Sequence, residues 1–141
     1  MTYKEKATTW YARGNKETDE FLKFILYFIS TEAILDGQSI RSLKLRQDLL
    51  KEINPEDIDQ LKKELDTDPH KNMDTHGDHR WGGTLQNNSD FDSIIEFLAR
   101  GRNNLFHGDK GADVERDIFI ITYGNKILQP IIRKLISENN V

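Results

Sequence analysis

A chain of 141 residues with no cysteine and a formal net charge of -4 is sized for one domain with its own core, and it carries neither a disulfide framework nor thiolate chemistry. Twenty Lys and Arg against 24 Asp and Glu leave no broad basic footprint, so any nucleic-acid contact must be local. The longest apolar block, Phe24 to Ile29, is too short to span a bilayer, and Met1 to Lys6 hold no apolar signal core, so a cytoplasmic protein without membrane contact is expected.

In chain order, the first dozen residues are polar and mixed. Only Trp10 and Tyr11 offer an anchor onto the body, and no element is assigned to this stretch. Gly14 and Asn15 punctuate. Asn15 or Thr18 is the expected cap of a helix carrying Glu17, Asp19 and Glu20 in its first turn, the charge sign that a helix N-terminus favours. That helix is expected to run to about Asp36-Gly37. Phe21, Leu22, Phe24, Ile25, Leu26, Phe28, Ile29, Ala33 and Leu35 make it apolar around most of its circumference, which calls for burial among several neighbours or at a subunit interface. It is the expected central helix.

Ser39 is the expected cap of a second helix, in which Ile40, Leu43, Leu50 and Ile53 form the apolar side and Arg41, Lys44, Arg46 and Lys51 the other. That basic side reads as a solvated face or as one leaning toward RNA. Asn54-Pro55-Glu56-Asp57 combines a cap, proline at the first helical position and acids in the first turn, so a short third helix with Ile58, Leu61 and Leu65 follows.

Residues 66–88 then break the pattern as a long polar insertion. His70, His76 and His79 lie beside Asp68, Asp74 and Asp78, but no pair has the helical His-x3-His spacing, and no metal or other cofactor is assigned. Arg80-Trp81 offers a cation and a stacking surface for a base, or else a tryptophan that pins the loop to the body.

Ser89, with Asp90 and Asp92 after it, starts the next helix, where Phe91, Ile94, Ile95, Leu98 and Leu105 recur at three, four and seven. Arg102 falls on that same stripe, so its guanidinium should emerge from the buried face or from a groove beside it. Asn103 and His107 share a face at the helix end, just before Gly108. A last helix begins at Asp113 with Ile118, Ile121, Leu128, Ile131, Leu135 and Ile136 as its stripe. Pro130 is expected to kink or split it near Gln129, and Gly124 to be a further weak point. Asp117 to Tyr123 is β-branched enough to read either way. The fold class that follows is all-α, an up-and-down bundle of four to five helices in a single domain, 1–141.

The stretch from Arg100 to Gly108 concentrates groups suited to phosphate chemistry. Arginine offers a fixed positive fork for phosphate oxygens, and histidine moves a proton near pH 7. Together Arg102 and His107 suit phosphodiester cleavage without metal. His107 would take the proton from a ribose 2'-hydroxyl or give one to the leaving 5'-oxygen, Arg102 would stabilise the phosphorane, and Asn103 would orient either group. A single histidine cannot easily be base and acid at once, so a two-fold dimer pairing two such helices is convenient, with RNA in the groove between protomers. The alternative on spacing alone is structural: Arg102 bridging a buried carboxylate such as Glu32, and His107 capping a helix end.

The segment Arg102-Asn103-Asn104-Leu105-Phe106-His107-Gly108 resembles the signature of the HEPN superfamily, the higher-eukaryote and prokaryote nucleotide-binding domains: Arg, a polar residue, then His after four to six intervening positions. HEPN domains are compact α-helical bundles with this motif late in the chain and one more long helix after it, as here. The resemblance implies a metal-independent, homodimeric ribonuclease of a toxin-antitoxin or other defence system, leaving a 2',3'-cyclic phosphate or 3'-phosphate end. Arg102 and His107 would be the catalytic pair and Asn103 their polar companion. Arg100, Asn104 and Lys110 would be further RNA contacts, and an antitoxin or a nucleotidyltransferase-like protein a further partner. The resemblance also admits a non-catalytic helical module that holds a nucleotide, RNA or protein. A third reading is a structural dimerisation domain using the Phe-rich helix from Phe21 to Leu35.

Overall fold

The computed structural model describes residues 1–67, 74–75, 79–80, 90–106 and 114–138. The architecture is all-α: α1 (Tyr3–Lys16), α2 (Glu20–Ile34), two 3-10 segments (Ile40–Leu45 and Gln47–Glu52), α3 (Pro55–Thr67), α4 (Asp90–Phe106) and α5 (Val114–Glu138). Between α3 and α4, β1 (Asp74–Thr75) and β2 (His79–Arg80) form a two-residue antiparallel ladder, Asp74 opposite Arg80. No described helix is long and apolar enough to cross a membrane.

The N-terminal stretch, to which the sequence assigned no element, is a full helix. Thr2 caps α1 by accepting from the Glu5 amide at 3.1 Å, while its hydroxyl donates to the Glu5 carboxylate. The polar face is wide, but Ala7 is fully buried. α1 continues past Gly14, which serves close approach to α2 rather than a break. A Cβ there would stand 2.6 Å from the Tyr27 ring. The Tyr27 hydroxyl donates to Asn15 Oδ1 at 2.6 Å and Ser30 Oγ donates to the Ala7 carbonyl at 2.7 Å, so two hydrogen bonds lock the pair. Tyr11 is an anchor as expected. Its ring lies 6.0 Å from that of Tyr27, and its hydroxyl accepts from Gln129 on α5.

Asp19, not Asn15 or Thr18, caps α2 by accepting from the Leu22 amide at 3.0 Å. The helix ends at Ile34, two residues before the expected stop, and the chain turns through the left-handed region at Asp36 (φ 52°) and Gly37 (φ 84°). α2 packs on α1 along one side and on α5 along another. Phe24, Tyr27, Phe28 and Ile34 are buried there, whereas Phe21, Leu22 and Ile29 remain exposed. Within the chain, neighbouring elements bury part of the circumference that was expected to be covered by several neighbours or at a subunit interface.

The second expected α-helix is two 3-10 segments that meet at Arg46 (φ -108°, ψ 63°). A 3-10 turn stacks residues three apart, and Ile40, Leu43 and Leu49 keep that interval and are buried. Leu49 therefore replaces Leu50 in the core, and Leu50 is only half-buried. Arg46 pairs with Asp48 and with Glu138 near the end of α5, tying this connection to the far helix. Asn54 begins α3 as expected, its Oδ1 accepting from the Glu56 amide, and Ile58 and Leu61 point inward.

Phe91, Ile94, Ile95 and Leu98 of α4 are buried as the spacing required, with Phe97 and Ala99 added. α5 runs unbroken through Pro130 and is helical across the ambiguous stretch from Asp117 to Tyr123. Four fully buried side chains, Ile127, Leu128, Ile131 and Ile132, flank the proline, so tertiary burial outweighs the one hydrogen bond it removes. Ile118, expected on the stripe, is 58 % exposed.

Candidate nucleic-acid interface

A groove of about 330 Å³ runs between the end of α2, the start of the first 3-10 segment and α4. Phe28 and Glu32 come from α2, Arg41 from the 3-10 segment, and Ala99, Arg102 and Asn103 from α4. Three sequence features build it. The left-handed turn at Asp36-Gly37 reverses the chain, and Ser39 then caps the 3-10 segment by accepting from the Arg41 amide. On α4, the small side chain of Ala99, one turn before Asn103, leaves room over the buried Phe28 ring.

Arg102 emerges beside its apolar stripe into this groove, as its register required. Its Nε donates to Glu32 Oε1 at 3.1 Å, its guanidinium carbon is 6.0 Å from the centre of the Phe28 ring, and its Nη1 lies 3.5 Å from Asn103 Oδ1. The Arg102 and Glu32 side chains are 38 % and 48 % exposed, so the ion pair is worth at most about 1 kcal/mol. The structural alternative named the right partner, but Glu32 is an exposed carboxylate, not a buried one. Water and ligand oxygens can therefore reach the arginine that it holds.

Arg100 lies apart from this arrangement. It donates through Nε to Glu96 Oε2 at 3.1 Å. Asn104 belongs to α4, but its side chain is outside the described residues, as are His107 and Lys110. His70, His76 and Trp81 are also outside them, and of His79 only the backbone in β2 is described. Among the described residues no group of three His, Cys, Asp or Glu is placed to hold a metal ion.

Sequence reading missed what Glu96 does. Arg41 Nε and Lys44 Nζ both donate to Glu96 Oε1 at 2.7 Å, so with Arg100 three cations converge on one carboxylate. The i,i+4 spacing of Glu96 and Arg100, and the i,i+3 spacing of Arg41 and Lys44, were legible. Their meeting was not, because it spans 52 to 55 residues of chain. Burial pushes the Glu96 carboxyl up, but hydrogen bonds and charge from Arg41 and Lys44 outweigh it and hold the pKa at about 2, against an ordinary 4.5.

A carboxyl with a lowered folded-state pKa contributes stability that is fully present above its ordinary pKa and is lost as pH falls toward 2. Discounted for the exposure of Arg41 and Lys44, that contribution is about 1–2 kcal/mol. Urea unfolding at neutral pH and at about pH 3 should show the wild type losing about 1 kcal/mol more than Glu96→Gln. Equal losses would mean that the cluster adds nothing to the fold.

A second cavity, of about 540 Å³, opens between α2, α3 and α5 and is lined by Glu20, Lys23, Tyr27, Asp57, Asn125 and Lys126. Its charges balance, two lysines against two carboxylates. Asn125 donates to the Glu20 carboxylate and carbonyl, and Lys126 lies 3.8 Å from Asp57. Burial, with the charges of Tyr11 and Glu20, pushes the Tyr27 phenol up to about 12, so it stays neutral. Of these two cavities among the described residues, the groove at Arg102 is the one whose lining carries surplus positive charge. Compared with family models, with curated proteins and with solved structures, the chain gives no match in any of the three.

Proposed function

We propose that this chain is a metal-independent endoribonuclease of HEPN type, acting as a homodimer in a toxin-antitoxin or other defence setting, with an antitoxin or nucleotidyltransferase-like protein as its natural partner. The observation that carries the reading is Arg102, an arginine set at the edge of an apolar helix stripe, in a groove, beside Asn103 and held by a weak, solvent-exposed pair with Glu32. His107 follows the last residue of α4 directly in sequence. In the reaction the ribose 2'-oxygen attacks the adjacent phosphorus as a base takes its proton. The 5'-oxygen leaves as an acid protonates it, and a 2',3'-cyclic phosphate remains. Arg102 meets the charge that builds on the equatorial oxygens, where a fixed guanidinium fork contributes most. His107 is the group that moves a proton at neutral pH, and a second copy from the partner protomer would supply the other transfer.

The test is cleavage, in EDTA, of a pool of structured and single-stranded RNA by the wild type and by His107→Ala purified in parallel. Cyclic-phosphate ends from the wild type, with a loss of at least about 10²-fold in the variant, are expected. Equal cleavage by both would overturn the assignment. The pairing of Arg102 with Glu32 favours one other reading, a non-catalytic HEPN-like module that holds a nucleotide, RNA or protein. If neither protein cuts while both stay folded, that second reading replaces the first.

A further inference from the structure

The cluster on Glu96 is more than a structural bridge. One carboxylate is met by Arg41, Lys44 and Arg100, which leaves the cluster itself with a surplus of two positive charges where α4 meets the first 3-10 segment. Arg41, whose side chain is exposed, keeps donors in reserve. Arg41 bonds through Nε, and among the described residues its terminal nitrogens make no further hydrogen bond. Arg100 likewise bonds through Nε, and its Nη1 is buried with no hydrogen-bond partner. That nitrogen is closed off from solvent, so Arg100 contributes charge to the cluster, and the donors within reach of a ligand oxygen are those of Arg41 and Lys44. Arg41 also lines the groove that holds Arg102 and Asn103, so the cluster and the proposed cleavage site share one wall. Glu96 holds the cations at a fixed spacing and thereby lowers the entropy lost when they close on a ligand.

We infer that Arg41, Lys44 and Arg100, gathered on Glu96, form a second phosphate-binding position for an RNA strand whose scissile phosphate meets Arg102. This rests on the RNA reading above. A polyanionic backbone suits the arrangement because charges recur along it, so one strand lying in the groove engages Arg102 and the cluster together. Arg41 and Lys44 act by binding and take no part in bond making. Glu96 is a positioning residue.

The test uses a short 2'-O-methyl RNA oligonucleotide, which lacks the attacking hydroxyl and cannot be cut. Binding is measured across a salt series for the wild type, for Arg41→Gln/Lys44→Gln, and for a control pair, Lys6→Ala/Lys16→Ala, that removes two exposed cations of α1. The first pair should weaken binding by about 10-fold or more and make the dependence of log K on log salt shallower by up to about two, while the control pair changes affinity less than about 3-fold. Because stranding Glu96 without partners can loosen the fold, Arg41→Gln/Lys44→Gln/Glu96→Gln is measured too, and it should weaken binding in the same direction. Equal weakening by both pairs, wild-type affinity in the folded triple variant, or displacement of the oligonucleotide by polyglutamate as readily as by unlabelled RNA would overturn the inference. The last of these would point to an acidic protein instead. A wild type that binds in this way but cuts nothing sustains the phosphate position and removes the nuclease. A wild type that cuts RNA, but no faster at limiting RNA than Arg41→Gln/Lys44→Gln, does the reverse.

Discussion

Arg102→Ala is expected to lower metal-free RNA cleavage by about 10²–10³-fold while shifting stability by less than about 1 kcal/mol. The two magnitudes separate because the arginine is half-exposed and its ion pair with Glu32 spans two exposed side chains. A pair so placed is screened and contributes little to folding. A guanidinium aimed at a charge that exists only in the transition state contributes a great deal to rate. Arg102→Lys keeps the charge but loses the planar fork, so it should recover only a small part of the activity. Glu32→Gln gives the opposite signature. Removing the carboxylate takes away one negative group that competes with substrate for Arg102 and should leave cleavage equal or faster, with RNA bound more tightly. If Arg102 were purely a partner for Glu32, both substitutions would move stability alike and neither would touch cleavage. Rates on one RNA substrate in EDTA, beside thermal melts of the same preparations, decide between these outcomes.

The largest expected effect on the fold comes from a single added methyl group. Gly124→Ala places a Cβ 2.4 Å from Cε1 and 2.9 Å from Cδ1 of Phe24, a ring with no exposed surface. In an open helix the same change would stabilise by about 1 kcal/mol. Here the ring has nowhere to go, since Phe28 stands 4.9 Å away centre to centre on the same helix face. Overpacking of this kind should cost a net 2–3 kcal/mol, or roughly 10 °C in Tm. Phe24→Leu removes the colliding edge. The double variant Gly124→Ala/Phe24→Leu should therefore be more stable than the sum of its parts by about 1 kcal/mol or more, read from a thermodynamic cycle of urea midpoints. Strict additivity would show that Phe24 and Gly124 do not meet.

The same contact explains why glycine was misread along the chain. In sequence Gly14 and Gly124 look like weak points, one ending a segment and the other softening a long helix. In the fold both lie within helices, where they let an aromatic ring of α2 press against the neighbouring backbone, Tyr27 on α1 and Phe24 on α5. Nothing local distinguishes a glycine that breaks a helix from one that lets two helices close. The ring that fills the gap comes from elsewhere in the chain.

Much of the rest was legible because it depends on neighbours within a turn or two. The all-helical class, the burial of Phe91, Ile94, Ile95 and Leu98, the start of α3 at Asn54-Pro55 and the emergence of Arg102 beside a buried stripe all follow from residue spacing and capping chemistry. Periodicity alone could not tell an α-helix from two 3-10 turns between Ile40 and Glu52, since an interval of three fits both and the packing of Ile40, Leu43 and Leu49 chose between them.

What the sequence determined by itself is thus the all-helical class, the four helices α2 to α5 and one face of the groove, α4 with its arginine. Tertiary structure alone decided what that arginine and its neighbours meet. Glu32 reaches Arg102 across 70 residues of chain, and Arg41 and Lys44 reach Glu96 across more than 50. Helical periodicity is a property of a few consecutive residues. The convergence of charge from distant elements onto one carboxylate appears only when burial of their apolar faces brings those elements together.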